Sequence, residues 1–326
     1  MLNTPLWRRI QRDNFTDWEE LLSFLDFDIS KAQQILPHAK FPLNLPVRLA
    51  EKIEKGHWND PILRQFIPTI QELEPSPLFI LDPVADRAFR PQPKLLYKYH
   101  GRALLLCTSA CAMHCRYCFR QHFDYETKDK LFVEELSAIA NESSISEILL
   151  SGGDPLSLSD AQLQYLFNEF EKIPHLKRIR FHTRFPIGIP ERIDASFIRL
   201  LSSCKKQVIF VIHCNHWKEF DEEIFKHLKK IQQLGIPILS QSVLLRGIND
   251  DVEILKILFE LLIDHGIIPY YLHQLDRVQG AVHFEVSEEE GKSLMNRLHA
   301  VLPGYAIPKY VKEIANQPNK SPIVDA

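Results

Sequence analysis

The sequence predicts an α/β fold, a partial (β/α)6 barrel that follows a helical region and precedes a C-terminal tail. Six apolar runs of strand length alternate with amphipathic segments of helix length. Such alternation is typical of a parallel sheet with helices outside it. The 326 residues, 45% of them hydrophobic, suffice for one barrel-sized core and a smaller appendage.

The predicted elements divide the chain into a helical region at residues 1–75, a barrel at residues 76–302 and a tail at residues 303–326. The helical region carries no recognisable motif, so we expect it to serve packing, substrate enclosure or contacts in a homo-oligomer. Its predicted helices are residues 18–25 and 46–55. The predicted strands of the barrel are residues 103–108, 147–151, 178–183, 207–213, 236–245 and 267–273. The predicted barrel helices are residues 131–141, 160–172, 191–202, 221–233, 251–264 and 288–301.

Polar residues collect where each predicted strand ends. In strand order they are Cys111, Cys115 and Cys118; Gly152, Gly153 and Asp154; His182 and Arg184; His213 and Asn215; Gln241 and residues 246–250; and residues 273–276. A parallel barrel carries its chemistry on the loops at the carboxyl ends of its strands. Any one of these residues is explained as well by a helix cap or a turn. Their recurrence after six strands predicts an active site at this end.

Charge and hydropathy exclude several classes of protein. The formal net charge of −3 predicts neither a nucleic-acid nor a membrane partner. The N-terminus lacks the apolar core and cleavage site of a signal peptide, and no apolar run approaches the ~20 residues that span a bilayer. We therefore expect a cytoplasmic protein.

The spacing C-x3-C-x2-C of Cys111, Cys115 and Cys118 predicts a metal cluster. A cuboidal four-iron cluster takes one thiolate on each iron, so three cysteines leave one iron open to a small molecule. A zinc site is the alternative, although zinc usually takes four closed ligands from paired C-x2-C units. Cys107 would extend the spacing, but it lies within a predicted strand.

The cysteine triple, with an aromatic residue before its third member, resembles the signature of radical S-adenosylmethionine enzymes. Further segments resemble the lysine 2,3-aminomutase family over residues 95–325, and most closely its short bacterial branch. The segments are LLSGGDPL at residues 149–156, QSVLLRGIND at 241–250, PYYLHQLD at 269–276 and HF at 283–284.

The resemblance implies a radical S-adenosylmethionine barrel and three cofactors: a 4Fe-4S cluster, S-adenosyl-L-methionine and pyridoxal 5'-phosphate. One electron from a reductant such as flavodoxin or ferredoxin would cleave S-adenosylmethionine, whose amino group would meet Gly152, Gly153 and Asp154. The activity implied is conversion of L-lysine to β-lysine. The family's short branch implies the R form and a link to elongation factor P and its lysyl ligase.

By the same resemblance, Lys320 anchors pyridoxal 5'-phosphate as the catalytic lysine. Here the chain departs from the family, because residues 315–319 read Ala-Asn-Gln-Pro-Asn where relatives have a glycine run. The tail therefore reaches the site with less backbone freedom. The residues matching the family's phosphate-binding positions are Lys98 and Arg102, with Arg184 and Gln241 as further donors.

For the substrate, Arg120 matches the position that binds the α-carboxylate, where a planar guanidinium suits a bidentate pair. Asp276 matches one of two acidic positions for the ε-ammonium, and Glu313 stands where the other, an aspartate, would lie. The longer Glu313 side chain leaves open an aminomutase that acts on glutamate or another amino acid.

Two more distant alternatives also follow from the motifs. One is a radical methylase or dehydrogenase without pyridoxal phosphate, which would not need Lys320. The other is a ferredoxin-like or cluster-sensing protein, in which Cys107 would be the fourth ligand.

Overall fold

The computed structural model describes residues 4–126 and 131–324. Its strands form one open sheet in chain order. They are β1 (Leu95–Tyr99), β2 (Arg102–Thr108), β3 (Glu147–Gly152), β4 (Arg178–Thr183), β5 (Gln207–His213), β6 (Ile238–Val243), β7 (Ile268–His273), β8 (Lys309–Lys312) and β9 (Ser321–Pro322). Strands β2 to β8 pair in parallel, and β1 and β9 add antiparallel edges. The predicted partial barrel is confirmed.

The helices lie between the parallel strands and in the N-terminal region. They are α1 (Leu6–Arg12), α2 (Trp18–Phe24), α3 (Val47–Ala50), α4 (Leu63–Phe66), α5 (Val133–Asn141), α6 (Asp160–Glu171), α7 (Phe185–Gly188), α8 (Ala195–Ser203), α9 (Glu222–Gln232), α10 (Val252–Asp264) and α11 (Glu288–Val301). The starts of α9 and α10 are fixed by Asp221 and Asp251, whose carboxylates accept main-chain N–H groups of the first turn.

Alternation along β4 shows how the sheet presents polar groups to the barrel interior. Ile179 and Phe181 are buried beneath the helices, and the Phe181 ring stacks on Phe210 of β5 at 4.8 Å between centroids. Arg180 and His182 point to the other face because side chains alternate along a strand. The interior of the barrel is therefore lined by polar groups at its carboxyl end.

Two predicted helices differ from the structure by several residues, and the structure adds strands β1, β8 and β9, which were not predicted. The helix predicted at residues 191–202 begins only at Ala195, because Asp194 caps it and Pro190 opens a separate 3-10 turn. The helix predicted at residues 46–55 ends at Ala50. In the tail, where no strand was predicted, β8 extends the parallel sheet and β9 pairs back on it.

The N-terminal region packs into the same hydrophobic core as the barrel. Trp7 of α1 is buried edge-on against Phe185, with ring centroids 5.5 Å apart, and Phe66 of α4 is fully buried. The boundaries at residues 75 and 302 stay predictions. Within residues 4–126 and 131–324, no helix has the length and apolar character needed to cross a membrane.

Candidate active site

The three motif cysteines occupy the loop that leaves the carboxyl end of β2, here called the cluster loop (residues 109–120). All three are free thiols, and a turn joins two of them, since the Cys118 N–H donates to the Cys115 carbonyl at 3.0 Å. Burial raises the pKa of Cys118 to about 11. Burial also raises the pKa of Cys111, and the charges of Asp154, Cys118 and Cys115 add to the rise. The three thiols therefore lie close enough to interact electrostatically.

The donor set fits a four-iron cluster better than a single ion. In the described part of the chain, no group of three or more His, Cys, Asp or Glu side chains is arranged to hold one metal ion. A cubane does not need such convergence, because each thiolate binds a different iron. Cys111, Cys115 and Cys118 would hold three irons and leave the fourth to a small ligand.

Cys107 lies apart from this loop. It is a buried residue of β2, as the sequence predicted, and its Sγ contacts the Leu105 carbonyl at 3.5 Å. Burial raises its pKa to about 12, as expected for a thiol in a hydrophobic core.

Gly152 and Gly153 bring the end of β3 against the start of the cluster loop. The Gly153 N–H donates to the Thr108 carbonyl at 2.6 Å, and the Asp154 N–H donates to the Ala110 carbonyl at 2.8 Å. A Cβ on Gly153 would lie 2.3 Å from the Ala110 oxygen, and one on Gly152 would lie 2.7 Å from the Thr108 oxygen. Both glycines therefore permit a close backbone contact behind the cysteines, and their contact with S-adenosylmethionine stays a prediction.

We expect Gly153→Ala to lower the iron bound after anaerobic reconstitution several-fold. The new methyl group meets main-chain atoms, which cannot rotate away, so the cluster loop must shift, at a cost of about 1–3 kcal/mol in the free energy of unfolding. Iron per chain and thermal melting of the apoprotein measure the two effects. Gly304→Ala is the matched control, since a Cβ there meets nothing within 4 Å. Unchanged iron binding in Gly153→Ala would contradict this role of the glycine.

Asp154 joins β3 to the end of β4. Its buried carboxylate accepts the Thr183 hydroxyl at 2.7 Å and the main-chain N–H groups of Arg184 at 2.7 Å and Phe185 at 3.0 Å. The Leu156 N–H donates to the same carboxylate at 3.0 Å. Asp154 thus fixes the loop after β4 beside the glycine pair, and its predicted contact with a ligand stays a prediction.

Arg184 lies behind the cluster loop, in a buried polar network. One terminal nitrogen, Nη1, donates to Cys115 Sγ at 2.9 Å and to the Tyr117 hydroxyl. The other, Nη2, donates to Gln65 Oε1 at 2.7 Å and pairs with Glu219 Oε2 at 2.8 Å. None of these partners belongs to the predicted phosphate-binding group, so the structure associates Arg184 with the cysteines. Its role as a phosphate donor stays a prediction.

Two of the predicted ligand-binding side chains pair with Asp86, which the sequence did not reveal, and a third, Glu313, lies beside one of them. Arg120 Nε pairs with Asp86 at 2.9 Å, and Lys98 Nζ pairs with the other oxygen at 2.7 Å. Lys98 Nζ also lies 3.5 Å from Glu313. Burial acts to raise the pKa of Asp86, but Arg120 and Lys98 outweigh it and hold that pKa below its usual range. Asp86 is therefore a carboxylate that two predicted anion-binding cations share.

A β-hairpin in the tail brings Lys320 to the charged group formed by Asp86, Lys98, Arg120 and Glu313. Lys312 of β8 pairs with Ser321 of β9, and Asn316 in the turn between them adopts φ +66°. Asparagine tolerates this left-handed conformation better than most residues, so the turn closes without the glycine run. Lys320 Nζ then lies 2.8 Å from Glu313 Oε2.

Glu313 is shared among several partners in the same group. In addition to Lys320 and Lys98, it accepts a hydrogen bond from the Tyr99 hydroxyl. Burial opposes its ionisation, but Lys320, Tyr99 and Lys98 together hold its pKa below the usual range. Glu313 is therefore ionised at neutral pH, with its charge balanced largely by Lys320.

Asp276 differs from the other carboxylates of the group. Among the described residues it forms none of the ion pairs that hold Asp86 and Glu313. Burial raises its pKa to about 7, against the opposing charge of Lys320, and the charge of Glu313 contributes to the rise. Asp276 is thus the carboxyl of the described group that has no cation within ion-pair distance, and its contact with a substrate ammonium stays a prediction.

Gln241 of β6 lies in the barrel interior among histidines from neighbouring strands. Its Nε2 contacts His213, and the distance to His182 Nδ1 is 3.5 Å. Burial lowers the pKa of His213 to about 3, with Arg184 and Lys320 adding to the fall. Burial also lowers the pKa values of His182 and His273, and the charge of Lys320 contributes to both. These three imidazoles are therefore neutral, and they lie close enough to Lys320 for its charge to affect their pKa values.

Arg102 begins β2, and its guanidinium lies 4.8 Å from the centre of the Tyr99 ring. It forms no ion pair with any described carboxylate, so its charge remains available to an anion. Because Tyr99 contacts Glu313, Arg102 belongs to the same end of the site as Lys98 and Lys320.

Sequence reasoning missed the carboxylates that organise the predicted cations. Asp86 pairs with Arg120 across 34 positions of the chain, and Glu219 pairs with Arg184 across 35. Their only sequence signal is that buried cations require a carboxylate partner, which does not identify the partner.

A family model and several known proteins are similar to this chain. A family model described as a 4Fe-4S single cluster domain matches residues 100–187. The L-lysine 2,3-aminomutase of Escherichia coli (strain K12) is 40% identical over 99% of this chain and 96% of its own length. That of Haemophilus influenzae is also 40% identical, over 97% of this chain and 94% of its own length. Among solved structures, Streptococcus suis SuiB bound to S-adenosylmethionine aligns with a TM-score of 0.48 at 14% identity, covering 67% of this chain and 51% of SuiB.

Proposed function

Because the chain belongs to the lysine 2,3-aminomutase family of radical S-adenosylmethionine enzymes, we propose that it converts L-lysine to β-lysine by moving the amino group between adjacent carbons. The chain is an isomerase, and its cofactors are a 4Fe-4S cluster, S-adenosyl-L-methionine and pyridoxal 5'-phosphate. When bound, these cofactors supply a carbon-centred radical and a conjugated, electron-accepting group that binds the migrating nitrogen.

The observation that carries the proposal is that Lys320 lies among acidic and basic side chains, Glu313, Lys98 and Asp86. Lys320 lies 2.8 Å from Glu313, and Lys98 lies between Glu313 and Asp86. Lysine amines form Schiff bases with carbonyl cofactors, and the contact with Glu313 places the Lys320 amine within this group of charged side chains. We assign Lys320 as the anchor, with Lys98, Arg102 and Gln241 as donors to the cofactor phosphate.

Recognition of the amino acid would depend on charges at two ends. Arg120 is the proposed partner of the substrate α-carboxylate, for which it would exchange or share its contact with Asp86 at 2.9 Å. The carboxylate of Asp276 is the proposed partner of the distant ε-ammonium. Glu313 is already engaged by Lys320, which favours Asp276 as the principal acid for lysine.

We further propose that the product is the R form, that it is used by the lysyl ligase of elongation factor P, and that flavodoxin or ferredoxin supplies the electron. These assignments are supported by the resemblance to the short bacterial branch of the family. A cytoplasmic location is part of the proposal, because a reducing compartment preserves a labile cluster and six free cysteines.

The test is product identification with the reconstituted enzyme. Anaerobic protein loaded with iron and sulfide is incubated with L-lysine, S-adenosylmethionine, pyridoxal phosphate and a reductant. Chiral chromatography with authentic standards then identifies the product. We expect (R)-β-lysine, and no product when any cofactor is omitted. Turnover of glutamate in place of lysine would support the alternative aminomutase, and turnover without pyridoxal phosphate would overturn the proposal.

We expect kcat/KM for lysine to fall as the pH is lowered through about 7. The pKa of Asp276 is raised to about 7, so protonation below that pH removes the charge that attracts the substrate ammonium. Asp276→Asn should lower kcat/KM by on the order of 10² to 10³ and remove this step from the pH profile. Lysine turnover that is unchanged in Asp276→Asn would contradict the assignment of this carboxylate.

A further inference from the structure

The N-terminal region supplies many of the polar contacts that hold the cluster loop. Asn14 Nδ2 donates to the Ala112 carbonyl at 2.7 Å, and Gln11 Nε2 donates to the Cys111 carbonyl at 3.2 Å. The His114 N–H donates to the Asn44 carbonyl at 2.9 Å. A loop outside a sheet has no ladder partners for its main chain, so these contacts satisfy groups that burial would otherwise leave unpaired.

The side chain of His114 is held by the same region. Its Nδ1 lies 2.9 Å from the Pro42 carbonyl, and its ring stacks on Phe41 with centroids 4.5 Å apart. The imidazole therefore packs toward residues 41–42 and is not directed at a metal. Contacts on both the main chain and the side chain of this residue fix the conformation between Cys111 and Cys115.

Arg116, between the second and third cysteines, is held by a buried ion pair. Its guanidinium is 1% exposed and pairs with Glu72, whose side chain is 8% exposed. The Nε atom donates to Glu72 Oε1 at 2.8 Å, Nη2 donates to the other carboxylate oxygen, and Nη1 donates to the Phe41 carbonyl at 2.6 Å. A bidentate, buried pair of this kind fixes geometry as well as charge.

Gln65 of α4 connects both sides of the loop. Its carbonyl accepts the Arg116 N–H at 2.9 Å, and its side-chain Oε1 accepts Arg184 Nη2 at 2.7 Å. Arg184 in turn donates to Cys115 Sγ. The main chain after Cys115 and the guanidinium that contacts its sulfur are therefore positioned by one residue of the N-terminal region.

We propose that the N-terminal region is the support of the cluster loop, and that Glu72 and Arg116 are positioning residues that hold the cysteines for cluster binding and set the cluster's reduction potential. The proposal rests on the assignment of the cluster to Cys111, Cys115 and Cys118. Residues that orient metal ligands commonly change metal affinity about 10- to 100-fold when they are altered. Net charge near an iron–sulfur cluster also changes its potential.

The decisive variant is Glu72→Gln, which keeps the side-chain shape and removes one negative charge. We expect reconstituted protein to lose iron to a chelator about 10- to 100-fold faster than wild type. The uncompensated Arg116 guanidinium disfavours the oxidised cluster, so the midpoint potential should become less negative. Iron analysis, electron paramagnetic resonance of the reduced cluster and redox titration provide readouts that do not depend on turnover.

Glu191→Gln is the matched control. It removes an ion pair between Arg48 of the N-terminal region and the barrel, at 2.5 Å, and neither residue contacts the cluster loop. We expect this variant to keep wild-type iron retention and potential. If Glu191→Gln alters both as much as Glu72→Gln does, general loosening of the N-terminal region explains the effect, and the specific role of Glu72 is wrong.

A double variant, Glu72→Gln with Arg116→Met, carries the test if the single variant destabilises the apoprotein. It leaves no unpaired charge, so the potential should return toward the wild-type value while iron retention stays low. Wild-type potential and retention in Glu72→Gln would overturn the proposal. Full iron binding in Cys118→Ala would instead overturn the cysteine assignment on which it rests.

Discussion

Replacement of Cys115 by alanine should abolish both the cluster and lysine turnover. Three thiolates hold three irons, so removing one leaves two protein ligands and a second open iron. Cys115 has the further role of accepting a hydrogen bond from Arg184 at 2.9 Å, which links it to the buried network behind the loop. We expect little iron after reconstitution, no reduced-cluster resonance and no detectable β-lysine.

Cys107→Ala is the informative control for that result. Cys107 is 6% exposed, belongs to β2 and lies in the hydrophobic core, so its removal deletes one small packed atom and no ligand. Wild-type iron content and turnover are expected. Loss of the cluster in Cys107→Ala would identify a fourth protein ligand and favour the ferredoxin-like alternative.

The barrel was predictable because its signals are local. Apolar runs of strand length identified six of the nine strands of the described sheet, and β4 and β5 agree with residues 178–183 and 207–213 to the residue. Boundaries were less accurate where a cap decides them: Asp221 and Asp251, predicted as helical, lie just before α9 and α10. In the tail, β8 and β9 are only four and two residues long, too short to show a period.

The side-chain contacts of the site were not predictable in the same way. Position at the end of a strand correctly indicated that Asp154 and Arg184 are near the cysteines, since parallel strands bring their ends together. The position of a residue in the sequence could not show that Asp154 and Arg184 are both hydrogen-bonded to other protein groups, because those partners depend on the packing of distant segments. Arg184 pairs with Glu219 and with Gln65, which lies 119 positions away. The same limit concealed Glu72, whose partner Arg116 is 44 positions away.

The tail illustrates how a departure from a family pattern is accommodated. Residues 315–319 lack the glycine run, yet the hairpin closes because one residue, Asn316, takes the positive φ. Pairing of Val311 with Pro322 and of Lys312 with Ser321 then fixes the direction of the returning chain. A single left-handed residue, Asn316, is therefore enough to close the turn without a glycine run.

Lys320→Ala should eliminate covalent binding of pyridoxal phosphate and lysine turnover. The amine at Nζ is the proposed anchor, and its removal also leaves Glu313 with only Lys98 at 3.5 Å and the Tyr99 hydroxyl as described partners. We expect no cofactor absorbance after gel filtration, and no mass increase on the tail peptide after borohydride reduction. The cluster should be retained, because none of the described contacts of Lys320 is made with the cluster loop.

Two further variants separate charge from covalent chemistry. Lys320→Arg keeps a cation beside Glu313 but cannot form the bond to the cofactor, so it should preserve the apoprotein's stability and still lack turnover. Lys309→Ala removes an exposed lysine from β8 and should behave as wild type in both assays. If Lys320→Ala and Lys320→Arg both retain the cofactor absorbance and form β-lysine, another residue is the anchor. Loss in Lys320→Ala with full activity in Lys320→Arg would limit Lys320 to balancing the charge of Glu313, since a guanidinium can do only that.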